Sequence, residues 1–96
     1  MEESISMDDL KELRKEIDSI DNKLICLFQK RMEAVLKVAE YKKKNNVPIL
    51  STSREQEVID KNIKLVCNDD FKKPVEDFLK SIMSISKELQ AKKISE

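Results

Sequence analysis

Apolar residues fall at Leu10, Leu13, Ile17, Ile20, Leu24 and Leu27, the alternating three-and-four spacing of a helix with one buried face. The next position in that pattern is Arg31, and the stripe then runs through Val35 and Val38 to Lys42. At roughly 100° per residue, Arg31 lies in line with Leu13, and Lys42 about 20° from it. A cation on a buried face costs several kcal/mol unless an anion or strong acceptor meets it. Two of them, about three turns apart on one face, mark a pocket built for something negative.

The same patterning predicts three helices. The first begins near Asp8 after a short polar tail, residues 1–7, expected to be flexible. It runs uninterrupted to Asn45-Asn46-Val47-Pro48, where Pro48 disfavours helix at Val47. A helix of about 37 residues is about 55 Å long, whereas a compact chain of this size has a radius of gyration of about 12 Å. The helix is longer than the domain it belongs to, so part of its cover has to come from another chain. A second helix starts after Ser51-Thr52-Ser53, where Thr52 with Glu55 and Ser53 with Gln56 form two overlapping capping boxes. It runs to about Val66 and buries Val58, Ile59, Asn62, Ile63 and Val66. Cys67-Asn68-Asp69-Asp70 reads as a turn, and Pro74 suits the first turn of a third helix. That helix buries Val75, Phe78, Leu79, Ile82, Ile85 and Leu89 and frays after Lys93. The expected fold is all-α, one very long helix and two shorter ones, in a single domain over residues 1–96 that completes its core as an intertwined homodimer.

Composition narrows the chemistry. With 19 basic and 19 acidic residues in 96, the net charge is zero, so bulk charge draws the chain neither to nucleic acid nor to an anionic membrane. Lys42-Lys43-Lys44 is the one basic run, and acidic residues offset it. Glycine is absent, which excludes a phosphate-cradling glycine loop. No apolar run approaches the ~20 residues of a membrane span, and the N-terminus is acidic where a signal segment is basic. Cys26 and Cys67 are isolated, there is no histidine, and no metal-ligand spacing occurs. The two cysteines read as reduced structural thiols of a cytoplasmic protein with no metal and no cofactor, a redox role being the alternative.

Polar residues enter the buried face of the shorter helices as well. Glu55 lies in the middle of the second helix's apolar arc. Ser86 falls about 40° from Ile82 on the third helix, and Gln90 sits at the edge of that stripe one turn later. Arg14 flanks the first stripe and Arg54 the second. Each has a plain structural reading: an edge arginine solvated or snorkelling, a core serine bonded back to its own helix, Glu55 as a capping acceptor. Together they amount to cations, one carboxylate and two neutral hydrogen-bonding groups, an inventory suited to a small polyanion that also carries hydroxyl or ether oxygens.

The order Leu13-Arg14, Ile17, Ile20-Asp21, Lys30-Arg31, Lys42, Pro48-Ile49, Arg54-Glu55 and Ser86-x-x-x-Gln90 resembles the all-helical chorismate mutases, from about Leu10 to Gln90. The resemblance implies three helices in a domain-swapped homodimer with two active sites, each built from both chains. The implied substrate is chorismate, a dianion, and the implied reaction its intramolecular Claisen rearrangement to prephenate on the route to phenylalanine and tyrosine. On this resemblance, Arg14 reaches across from the partner chain and joins Arg31 on the carboxylates, and Arg54 and Ser86 complete those contacts. Lys42 and Gln90 bond the ether oxygen, and Glu55 holds the ring hydroxyl. Ser51 stands where the family commonly has an acidic residue that touches that hydroxyl. A serine keeps the backbone contact and caps the helix.

Such a rearrangement needs no nucleophile, metal or proton transfer, which agrees with the absence of histidine. It needs the substrate held in a compact conformer and donors aimed at the oxygen that gains charge. Two other readings stay open. An isochorismate-pyruvate lyase of the same fold handles an isomeric dianion with similar cations, although Glu55 and Ser86 favour the mutase. A non-enzymatic helical dimerisation module would tolerate Leu or Met at Arg31 and Lys42 with a gain in stability.

Overall fold

The computed structural model describes residues 6–96. Three α-helices follow one another, α1 (Met7–Lys44), α2 (Thr52–Ile63) and α3 (Lys72–Ile94), with a 3₁₀ turn at Asp69–Phe71 before α3. No strand occurs among the described residues. One long and two shorter helices are what the periodicity predicts. Of the tail expected over residues 1–7, residues 1–5 lie outside the described residues, and Met7 is already helical.

Each helix end has a local cause. At the start of α1, Ser6 Oγ accepts the Asp9 N–H at 3.1 Å and Asp9 Oδ2 accepts the Ser6 N–H at 3.3 Å, so two otherwise unpaired donors are satisfied reciprocally. Asp8 and Asp9 in the first turn and Lys42, Lys43 and Lys44 in the last complement the helix dipole. The helix stops at Lys44, earlier than Pro48 requires, because Asn46 takes a left-handed backbone (φ 55°). That turn brings the Val47 N–H onto the Lys42 carbonyl at 2.9 Å, the bond that closes a Schellman cap. In a chain without glycine, asparagine is the residue that tolerates this conformation most readily.

The capping boxes expected at Thr52 and Ser53 are not how α2 begins. Ser51 is the cap: its backbone is extended and its side chain accepts the Arg54 N–H at 3.3 Å. Glu55 is thereby released from capping duty. The helix ends at Ile63, three residues short of Val66, because Leu65 and Val66 donate to the carbonyls of Asn62 and Ile63, three residues back, and tighten the turn. Asn68 then accepts the Asp70 N–H at 2.9 Å, which makes the turn expected here, and Pro74 falls in the first turn of α3.

The chain divides into two compact units inside α1, residues 1–31 and residues 32–96. In the first, residues 7–31 are helical, and the stripe is uncovered: Leu10, Leu13, Ile17, Ile20, Leu24 and Leu27 are all exposed, from 36% to 62%. In the second, the remainder of α1 and the two shorter helices pack together. The contacts Met32 with Ser86, Glu40 with Lys93 and Lys43 with Glu96 keep a nearly constant offset, so this segment and α3 run parallel. The shorter α2 packs closely on α3.

The core of the second unit is small and partly polar. Met32, Ala39, Met83, Ser86 and Gln90 are the buried residues among those described. Met83, Ser86 and Gln90 are spaced three and four apart, so the covered face of α3 runs along them, and Gln90 is central to it where the sequence pattern puts it at the edge. Val38, Phe78 and Ile85 are exposed against expectation, while Val75, Leu79, Ile82 and Leu89 are half-buried. An apolar stripe is at least about 100° wide, and the neighbouring helices of one chain cover only part of that arc. Cys26 and Cys67 are exposed thiols and not core residues.

Candidate active site

On α3, Ser86 and Gln90 lie one turn apart and are 4% and 7% exposed. The Ser86 hydroxyl lies 2.8 Å from the Ile82 carbonyl, the bond back to its own helix expected of a buried serine, and 3.9 Å from Met32 Sδ on α1. Gln90 differs: its Oε1 is buried and has no hydrogen-bond partner. A buried amide end left unpaired costs about 1–3 kcal/mol. An amide can turn over to present either its oxygen or its N–H to the same place, so Gln90 offers a donor or an acceptor to whatever meets it.

On α2, the half-buried Glu55 does not cap its helix. Its Oε1 receives the Lys87 ammonium of α3 at 2.9 Å. Lys87 follows Ser86 and precedes Gln90 by three residues, so Glu55 stands level with those two side chains. The basic residue at the end of α1, Lys42, is half-buried as its place in the stripe predicts. It lies one turn beyond the fully buried Ala39, and its Nζ donates to the Ile49 carbonyl at 2.9 Å. An ammonium has three donors, and this bond draws the α1–α2 connection over the end of the helix.

Ser51 is half-buried and occupied as the α2 cap. Arg54 is on the solvent side: its guanidinium donates to Glu57 Oε1 at 2.9 Å. Lys61 reaches the same carboxylate at 3.1 Å. Hydrogen bonding to Lys61, then the charges of Lys61 and Arg54, hold the Glu57 carboxyl below the usual glutamate range. The plain reading of Arg54, an edge arginine in water, therefore describes the single chain. Arg14 and Arg31 belong to the first unit, where Arg14 is exposed and Arg31 half-buried.

Within residues 32–96, then, Ser86 and Gln90 share one buried face with Glu55 at their level, and Arg54 lies outside that group. Lys87 and Met83 are the residues that sequence reasoning misses. A lysine between Ser86 and Gln90 reads as a solvated side chain; the signal was an unmatched carboxylate on one apolar face and an unmatched ammonium beside another. No cluster of Cys, Asp or Glu suited to a metal ion occurs among the described residues.

Among the described residues the protein is all-helical, and its deepest side chains include two hydrogen-bonding groups, Ser86 and Gln90. The chain belongs to the chorismate mutase type II family, whose sequence profile matches residues 13–91. It is 42% identical over 59 residues to a bifunctional chorismate mutase/prephenate dehydratase of Aquifex aeolicus, a stretch that is 62% of this chain and 16% of that protein. It is 49% identical over 49 residues to the T-protein of Haemophilus influenzae, 51% of this chain and 13% of that one. A chorismate mutase of Methanocaldococcus jannaschii is 38% identical over 60 residues, 62% of this chain and 60% of the relative. The chain thus spans less than two thirds of the length of each of these relatives. No solved structure matches it.

Proposed function

We propose that this chain rearranges chorismate to prephenate, as one chorismate mutase domain over residues 1–96, acting in the cytoplasm as an intertwined, domain-swapped homodimer. The family match gives the reaction class. The observation that carries it to this chain is Gln90, buried on α3 with an unpaired amide oxygen. Buried polar atoms are seldom left without a partner, and a ligand that meets this amide would supply one. The uncovered stripe from Leu10 to Leu27 supports the dimer, since a second copy offers the same stripe and buries both.

In this reading the partner's Arg14 and the chain's own Arg31 grip the two carboxylates, with Arg54 and Ser86 completing the contacts. Glu55 accepts from the ring hydroxyl, beside the backbone of Ser51. In the rearrangement the ether C–O bond breaks as the new C–C bond forms, and electrons move round one ring with no proton transferred. The ether oxygen becomes more negative on the way, and the N–H groups of Lys42 and Gln90 meet it there, so they bind the transition state more strongly than the substrate. One side chain has to change partner first. Arg54 turns from Glu57, and Lys42 keeps or exchanges its bond to Ile49, having donors to spare.

The test is product identification. Incubation with chorismate should yield prephenate, while isochorismate should give no pyruvate and salicylate. Pyruvate from isochorismate with no prephenate from chorismate would make it the lyase. Turnover of neither would leave a binding module.

A further inference from the structure

The Glu55–Lys87 pair is a bond between helices, unlike the i,i+4 pairs Glu57–Lys61 and Lys73–Asp77 along the helix surfaces. Both side chains are partly covered, Glu55 at 29% and Lys87 at 40% exposed. They line an open groove of about 340 Å³ with Thr52, Ile59, Lys80 and Met83. Ser86 faces α1 at Met32, and Lys87, about 100° further round α3, faces α2. Lys87 therefore meets Glu55 in the groove beside Met83, at the α2 edge of the face that carries Ser86 and Gln90.

We propose that Lys87 is a positioning residue for Glu55. It rests on the mutase reading, in which Glu55 receives the substrate hydroxyl. Two physical effects follow from the 2.9 Å contact. A glutamate side chain has many rotamers and loses freedom when it is ordered; with Lys87 on Oε1, that ordering precedes the arrival of substrate. A carboxylate offers about four acceptor sites, so the ammonium leaves room for a hydroxyl. The ammonium also offsets a negative charge that would otherwise oppose a dianion.

A hydroxyl contact is made in the ground state and the transition state alike, so its loss appears in KM and not in kcat. An exposed ion pair is worth at most about 1 kcal/mol, or fivefold, while a misplaced group can cost about 10². Lys87→Met is therefore expected to lower kcat/KM by about tenfold, with kcat nearly unchanged and the melting temperature held. Lys87→Arg should restore most of the loss.

The decisive experiment is a double-mutant cycle: kcat and KM of the unaltered protein, Lys87→Met, Glu55→Ala and the double variant, each with its thermal melt. Lys87→Met should have almost no further effect once Glu55 is alanine. Additive losses, an unchanged KM in Lys87→Met, or a loss confined to kcat would overturn the assignment of Lys87 alone. If Lys87→Met melts early, Lys87→Gln, which keeps a donor without the charge, is put through the same cycle and judged by the same outcomes. If the unaltered protein does not turn over chorismate, the mutase reading and the role of Lys87 fall together.

Discussion

Replacing Gln90 by methionine should stabilise the protein and disable it. Gln90 is 7% exposed, and its Oε1 has no partner. An unsatisfied buried polar atom costs about 1–3 kcal/mol, and methionine is close to glutamine in length and volume while carrying no amide. Volume-conserving swaps in a core usually cost less than about 1.5 kcal/mol, so the relief outweighs the repacking and leaves a net gain of about 1 kcal/mol. For a domain of this size that raises the melting temperature by about 4–8 °C. Turnover should fall by about 10²–10³, the usual loss for one well-aimed donor. The assay is a thermal melt of both proteins at one chain concentration, since an oligomer's melting temperature depends on it, followed by chorismate consumption. A variant that melts below the parent would mean that Gln90 is satisfied within the fold. A stabilised variant of full activity would mean that its amide never meets the reacting oxygen.

Three further outcomes follow. Gln90→Glu should be nearly inactive at neutral pH, because an ionised carboxylate cannot donate, and should regain activity in acid as the new carboxyl is protonated; a pH–rate profile with no acid rise refutes the donor role. Arg14→Ala and Lys42→Ala chains should each be inactive as homodimers yet recover activity when mixed, because both lesions then collect in one pocket; heterodimers shown to form but to stay inactive would remove Arg14 from its partner's site. Glu57, with its pKa depressed by Lys61 and Arg54, contributes stability that is present above the ordinary carboxylate range and lost as pH falls through its lowered value. Glu57→Gln should flatten that acid-side loss in denaturation measured across pH at low salt, with little effect at high salt, and an unchanged acid limb would contradict the pairing.

The helices were legible because their signals are local. The spacing of Leu10 to Leu27, the proline after Val47 and the polar turn before Pro74 act over a few residues each. Which arc of each helix is covered was less legible. The sequence pattern put Gln90 at an edge and Phe78 in the core, and the structure reverses both, because coverage is set by where the neighbouring helix lies. Which hydroxyl caps α2 was hard to read for a related reason: Ser51, Thr52 and Ser53 are adjacent and offer nearly equal caps, and the structure uses Ser51. The partner of Glu55 is 32 residues away in sequence, so no local rule could have named Lys87. Lys42, Ser86 and Glu55 stand out in the sequence because a polar group on an apolar line is visible without knowing its neighbours, and the structure leaves all three buried or half-buried.

The central claim is that one chain cannot cover its own first helix, so the site needs two. Light scattering on the purified protein at micromolar concentration tests it directly, read beside circular dichroism. The expected result is a helical species of twice the 11.2 kDa chain mass, losing helix as it dissociates. A well-folded 11.2 kDa monomer that turns over chorismate would contradict the swapped architecture and the role of Arg14 together.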